Sequence, residues 1–243
     1  MRRKLGITAM QLRLLAMILM LLDHLWATVI PGNDWMTYAG RMAMPIFAFQ
    51  IAEGYCHTSN VKKYRNRLLL FALLSEIPFD LVMGGGVFFP YHQNVMFTLL
   101  LGLWACAVLD KAKRKGTAGG WLKGALMALL ICLIGLLTLV DYGFMGISMV
   151  ILFFLLRDFP LARAAQLIAM VLLNIVFFEG QSLILPLGGR EIFFPIQGFA
   201  VLALIPIWLY NGEKGRGGKA AQYAAYAFYP LHLLAIALAA RLL

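Results

Sequence analysis

The run from Leu12 to Ile30, LRLLAMILMLLDHLWATVI, decides the class of this protein. A helix needs about 20 mostly apolar residues to cross the hydrocarbon core of a bilayer, and this run meets that length. It also carries Asp23 and His24 side by side in its second half. An ionisable side chain at such a depth costs at least about 2.5 kcal/mol, so each one is a candidate functional group. The rest of the chain agrees with its first segment. Of 243 residues, 62% are hydrophobic and 13% charged, with a mean hydropathy of +0.82. Soluble globular domains are about half apolar and a quarter charged, and disordered chains pair low hydrophobicity with high charge. Both classes are excluded. The basic leader Arg2, Arg3, Lys4 resembles that of a signal peptide, but Asp23-His24 interrupts the apolar run and no small-x-small cleavage site follows. The segment reads as an uncleaved first helix.

Working outward, the same length criterion finds nine candidate spans: 12–30, 39–57, 64–83, 93–110, 121–140, 142–157, 163–179, 194–210 and 222–242. The expected fold is all-α, a polytopic membrane bundle forming one domain over residues 1–243. Turn signals separate the spans at Pro31-Gly32-Asn33-Asp34, at Gly84-Gly85-Gly86 and from Lys111 to Gly120. The stretch 180–193, with Pro186, Gly188 and Gly189, leaves room for a re-entrant turn. With the N-terminus placed inside, alternate connections collect the cations. All but Arg41, Arg190 and Arg241 of the 21 Lys and Arg residues fall on the inner side. That asymmetry predicts N-inside, C-outside topology in the plasma (cytoplasmic) membrane. It also accounts for the net charge of +10 without nucleic acid. The basic stretch Gly212 to Lys219 has Glu213 and Ala220 where a phosphate loop needs Gly and Ser or Thr, and reads as a flexible inner loop.

Polar residues inside the spans mark the candidate site. With about 1.5 Å of rise per residue, His24, Arg41, Glu76 and Asp80 fall in the outer half of their spans. His232 lies near the middle of its span and Glu53 lies towards the inner side, while Asn94 and Asp141 open spans at the outer edge. Glu76 and Asp80 share one helix face and are the expected partners of Arg41. His57 and His92 sit at span edges and read as solvated. The residues Cys56, Cys106 and Cys132 lie in apolar stretches without CxxC spacing, and the four histidines fall on different segments with no HExxH. No metal site is expected. The chemistry that fits is an imidazole in a low-dielectric cavity, with His24 taking a proton from a hydroxyl or amine and Asp23 or another acid fixing its tautomer.

Several runs resemble the TraX family: Met20-Leu21-Leu22-Asp23-His24, Gly40 through Phe49 to Glu53-Gly54-Tyr55, and Ser75-Glu76-Ile77-Pro78-Phe79-Asp80-Leu81. So do Asn94 to Gly102, Asp141-Tyr142-Gly143, Leu209-Tyr210-Asn211-Gly212 and Tyr229-Pro230-Leu231-His232-Leu233. The match runs in order from about residue 12 to the C-terminus. That family is named for a conjugation-system protein that acetylates the N-terminus of F-type pilin, and it looks related to the wider transmembrane acyltransferases. The resemblance implies an acyl-CoA-dependent acetyltransferase, with acetyl-CoA arriving from the cytoplasm. His24 would be the catalytic base with Asp23 beside it, and Arg41, Glu53, Glu76, Asp80, Asn94, Asp141 and His232 would line the substrate cavity. The inner cations Lys62, Lys63, Arg65, Arg67, Lys214 and Arg216, with Asn211, would meet the phosphates of coenzyme A. The acceptor, a small molecule, a glycan or a peptide N-terminus, does not carry over. A proton-coupled transporter built on the same buried Asp, Glu and His residues is the alternative, although no internal repeat accompanies it. A purely structural membrane partner would leave the buried charges without a use.

Overall fold

The computed structural model describes residues 5–178, 180–187 and 190–242. Arg2, Arg3, Lys4, Gly188 and Gly189, and the side chain of Lys219, lie outside the described residues. Helix dominates, and each of the nine candidate stretches contains it. The first, α1 (Ala9–Thr28), starts at a capping box in which the Thr8 side chain accepts from the Gln11 backbone N–H and the Gln11 side chain reaches back to Thr8. The second stretch is split into α2 (Trp35–Gly40) and α3 (Ala43–His57). Pro45 falls in the first turn of α3, where a missing N–H costs no hydrogen bond. Then come α4 (Val61–Met83), α5 (Val95–Lys115), α6 (Ala118–Leu137) and α7 (Gly143–Leu155).

Between residues 172 and 203 the chain departs from regular α-helix. The helix α8 (Ala162–Val171) runs into a π-helical turn, Leu172–Val176. An antiparallel hairpin comes next, β1 (Ser182–Leu187) paired with β2 (Arg190–Pro195), with Ser182 opposite Pro195 and Leu187 opposite Arg190. A 3-10 segment, Ile196–Ala203, then leads into the short α9 (Leu204–Trp208), and the described fold ends in α10 (Gly218–Ala239). The all-α expectation is therefore corrected by the hairpin. The cause is local: Pro186 cannot donate within a helix, while Leu183, Ile184, Leu185, Ile192, Phe193 and Phe194 suit a pleated ribbon.

Helices α3 and α5 form the centre. The former packs on α1, α5 and α7, the latter on α4, α6 and α7, while α10 closes the bundle between α1 and α4. Small residues permit close approach. Gly102 on α5 faces Val150 on α7, and Gly135 on α6 faces Ile147 on α7. Among the described residues three helices, α1, α5 and α6, are long and apolar enough to cross a membrane. On α6, Leu122, Leu126, Leu129, Leu133 and Leu137 are exposed, a leucine face that no described residue covers and that suits contact with lipid tails. The chain is a membrane protein.

Candidate functional site

Asp23 and His24 point into two different networks. The Arg41 guanidinium donates from one nitrogen to both Asp23 oxygens, at 2.7 and 2.8 Å, and Thr37 donates to the same carboxylate at 2.6 Å. The Arg41 Nε also reaches the Thr37 hydroxyl, at 3.3 Å. Arg41 owes its position to the break between α2 and α3, and Gly40 makes the approach possible, because a Cβ there would run into the Asp23 side chain. This corrects the expected pairing. Among the described residues, the carboxylate that Arg41 bonds is Asp23, and Glu76 and Asp80 are engaged elsewhere. The side chain of Asn94, fully buried, caps α5 and donates to the Ala72 carbonyl and to Glu76. Asp80 accepts from the Phe89 backbone N–H at 3.0 Å and anchors the loop after α4.

With Asp23 committed to Arg41, its expected role at His24 passes to another residue. His24 Nδ1 lies 2.8 Å from His232 Nε2, and His232 Nδ1 lies 2.9 Å from the Phe228 carbonyl oxygen one turn earlier in α10. Two histidines 208 residues apart thus form one chain of ring nitrogens ending on a backbone oxygen. The Phe228 carbonyl is not the one freed by Pro230, which withholds a helical N–H from the Tyr226 carbonyl four residues before it.

Asp141 and His92 meet at the end of the bundle where α5 and α7 begin, 3.4 Å apart, and hydrogen bonding to the Asp141 carboxylate holds the His92 imidazole above its usual range. Glu53 belongs to the opposite end, where it bonds His57 at 2.8 Å and Arg157 at 3.0 Å. Neither histidine at a span edge is merely solvated.

A cavity of about 480 Å³ opens at the end of the bundle that holds the first turn of α1 and the last turn of α3. Its cationic lining is Arg13, Arg67, Lys214 and Arg216. Backbone pairing builds this mouth. The first N–H groups of α1 have no partner inside the helix, and Ala9 and Met10 donate to the Glu213 and Lys214 carbonyls. The loop before α10 is thereby laid across the start of α1. Gly215, with φ +78°, abuts Thr8 so closely that no Cβ fits. Asn211 is tied into the same loop through the Ile7 carbonyl and the Glu213 N–H, and it lines the adjoining open cleft with Arg216. Lys62, Lys63 and Arg65 are exposed on the first turns of α4 and do not line the cavity.

Beside the basic cavity lies a smaller, mostly apolar pocket of about 80 Å³. Arg13, Gln50, Tyr64, Gln222 and Tyr226 border both. The inner end is walled by Met20, Met96, Leu99 and Tyr229. Met20 lies one turn below His24 on the same face of α1, and the Tyr229 ring is 5.5 Å from that of His232. A third pocket, of about 270 Å³, opens at the other end between Trp26, Thr37, Arg41, Phe178, Gln181 and Gln197. Gln197 is buried there and donates to Asn174 at 3.0 Å. The pocket-lining residues Arg13, Gln50 and Gln197 were not singled out in the sequence. Their signal is a lone polar side chain in an apolar helix, the same kind of signal that marks Arg41 and Asn94.

Among the described residues no group of three His, Cys, Asp or Glu side chains could hold a metal ion. The comparisons with known proteins point one way. The family model described as TraX protein matches residues 8–240. The chain is 32% identical over 255 residues to the probable fimbrial assembly protein FimC, serogroup H1, of Dichelobacter nodosus, covering 96% of each chain. It is 28% identical over 140 residues to protein TraX of Escherichia coli, covering 57% of this chain and 52% of that one. No solved structure matches. A family match over nearly the whole chain, which spans both the His24–His232 pair and the basic cavity, shows that this protein belongs to the TraX family.

Proposed function

We propose that the protein is an acyl-CoA-dependent acetyltransferase of the plasma membrane, moving an acetyl group from cytosolic acetyl-CoA to an acceptor that enters from the other side. The observation that carries this reading is the cavity pair. A mouth lined by Arg13, Arg67, Lys214 and Arg216 shares five lining residues with an apolar pocket whose wall includes Met20, one turn from His24, and Tyr229, whose ring is 5.5 Å from that of His232. Phosphates favour the first environment and a slender pantetheine arm with its thioester favours the second. Nine membrane crossings with the N-terminus inside put that mouth in the cytoplasm, because the cations of the chain gather at this end. The outer pocket at Arg41 then takes the acceptor. The relative's name, fimbrial assembly protein, favours a peptide N-terminal amine among the acceptors.

In this mechanism His24 accepts the proton of the acceptor amine or hydroxyl as that atom attacks the thioester carbonyl. The new bond to the acetyl carbon forms, the carbon–sulfur bond breaks, and the proton passes from the imidazolium to the coenzyme A sulfur. The products are the acetylated acceptor and the free thiol. Incubating purified protein with acetyl-CoA and an extract of candidate acceptors, read by thiol release and mass spectrometry, tests the reaction. Folded protein that releases no acceptor-dependent thiol overturns it.

The donor site carries its own expectation. Charge-assisted hydrogen bonds contribute about 1.5 to 3 kcal/mol each, and less at a wet rim. Lys214→Gln combined with Arg216→Gln should therefore raise the KM for acetyl-CoA by about tenfold at low salt. The KM for acetyl-pantetheine, which lacks the nucleotide phosphates, should stay unchanged. Equal loss on both donors would show that the cations act through the fold instead.

A further inference from the structure

We infer that His232 is the positioning residue of this site, fixing His24 in the tautomer whose Nε2 is the base. The inference rests on the acetyltransferase reading for its consequence and on hydrogen-bond chemistry alone for the tautomer. A backbone carbonyl can only accept. The 2.9 Å contact between the Phe228 oxygen and His232 Nδ1 therefore places a hydrogen on that nitrogen. A neutral imidazole carries one hydrogen, so His232 Nε2 holds a lone pair. That lone pair faces His24 Nδ1 at 2.8 Å. A hydrogen bond there requires the hydrogen to sit on His24 Nδ1, and this leaves His24 Nε2 bare.

Ring geometry supports the assignment. The two imidazole planes differ by 2° and their centres are 5.0 Å apart. That separation is close to the N···N distance plus the two short centre-to-nitrogen radii, so the rings lie edge to edge in one plane. Nitrogen lone pairs and N–H bonds of an imidazole lie in the ring plane, and each nitrogen here is aimed along the line that joins them. A face-to-face stack with its nitrogens offset would not give that sum. The Phe228 ring, parallel to His232 within 8° at 4.8 Å, holds the second imidazole from its face.

The arrangement also governs the state reached after proton uptake. When His24 Nε2 takes the acceptor's proton, the hydrogen on Nδ1 stays where it is. Its bond to His232 becomes charge-assisted and shorter. A second proton on His232 Nε2 would bring two N–H groups face to face, so the pair holds one positive charge at a time. His232 thus does what a carboxylate does in other imidazole bases, without adding a negative charge to the membrane interior.

Nitrogen-15 spectroscopy of the full chain in lipid nanodiscs, with labelled histidine, reads the tautomer directly. The chain has four histidines, and His24→Ala identifies the His24 signals by difference. The expected wild-type spectrum shows His24 protonated on Nδ1 and bare on Nε2. His232→Phe keeps a ring but cannot accept, so His24 should shift to a mixture of tautomers and kcat should fall by about a hundredfold. KM for acetyl-CoA should stay near wild type. His232→Gln, whose side-chain oxygen can accept from His24, should restore the tautomer and much of kcat. A wild-type His24 bare on Nδ1, or a His232→Phe variant with unchanged tautomer, overturns the inference. A correct tautomer in protein that transfers no acetyl group would leave the relay standing and sink the acetyltransferase reading.

Discussion

His24→Ala is expected to lower acetyl transfer by about a hundred- to ten-thousand-fold while acetyl-CoA binding stays within twofold of wild type. The magnitude is that of removing a general base that takes its proton in the transition state. Binding should survive because the proposed phosphate site is the basic cavity lined by Arg13, Arg67, Lys214 and Arg216, to whose lining His24 does not belong. Turnover and calorimetric donor affinity, measured on the same purified variant, separate the two effects. More than half of wild-type turnover in folded His24→Ala would remove His24 from the chemistry.

Arg41→Leu should act on the fold as well as on activity. The Asp23 and Arg41 side chains are 16% and 24% exposed, and the pair is knitted to Thr37. Breaking a buried ion pair by removing one partner typically costs about 3 to 5 kcal/mol, because the remaining charge is stranded. Partial exposure places this pair at the lower end, near ~3 kcal/mol. Arg41→Leu and Asp23→Asn should each lower the thermal unfolding midpoint in detergent. The double variant, which leaves no charge stranded, should be more stable than either. Losses that simply add in the double variant would show that the two residues are not coupled.

Much of this protein is legible in its residues. Helical stretches, the clustering of cations in alternate connections and the cost of Asp23, His24 and Arg41 in apolar segments all follow from hydropathy and charge, which a sequence states directly. The hairpin between Ser182 and Pro195 was less so. Its apolar residues satisfy a length criterion for helix as readily as a ribbon, and Pro186 with two glycines marked only a turn. The basic mouth was half legible. Arg67, Lys214 and Arg216 line it, whereas Lys62, Lys63 and Arg65, close by in sequence, sit on the exposed side of α4.

Partner choice was decided by the tertiary structure alone. Counting residues along a span gives a side chain's depth in the membrane, one coordinate of three. By depth, Glu76 and Asp80 suited Arg41 as well as Asp23 did. The rotation of each helix and the close contact at Gly40 turn Asp23 towards the guanidinium, while Asn94 and the Phe89 amide engage the other two carboxylates. The same reason hid the imidazole pair. His24 and His232 lie 208 residues apart, and nothing local relates α1 to α10. The sequence by itself determined that ionisable groups stand inside an apolar bundle. Only helix packing decided which of them touch, because hydrogen bonds and ion pairs act over a few ångströms and hydropathy carries no information at that range.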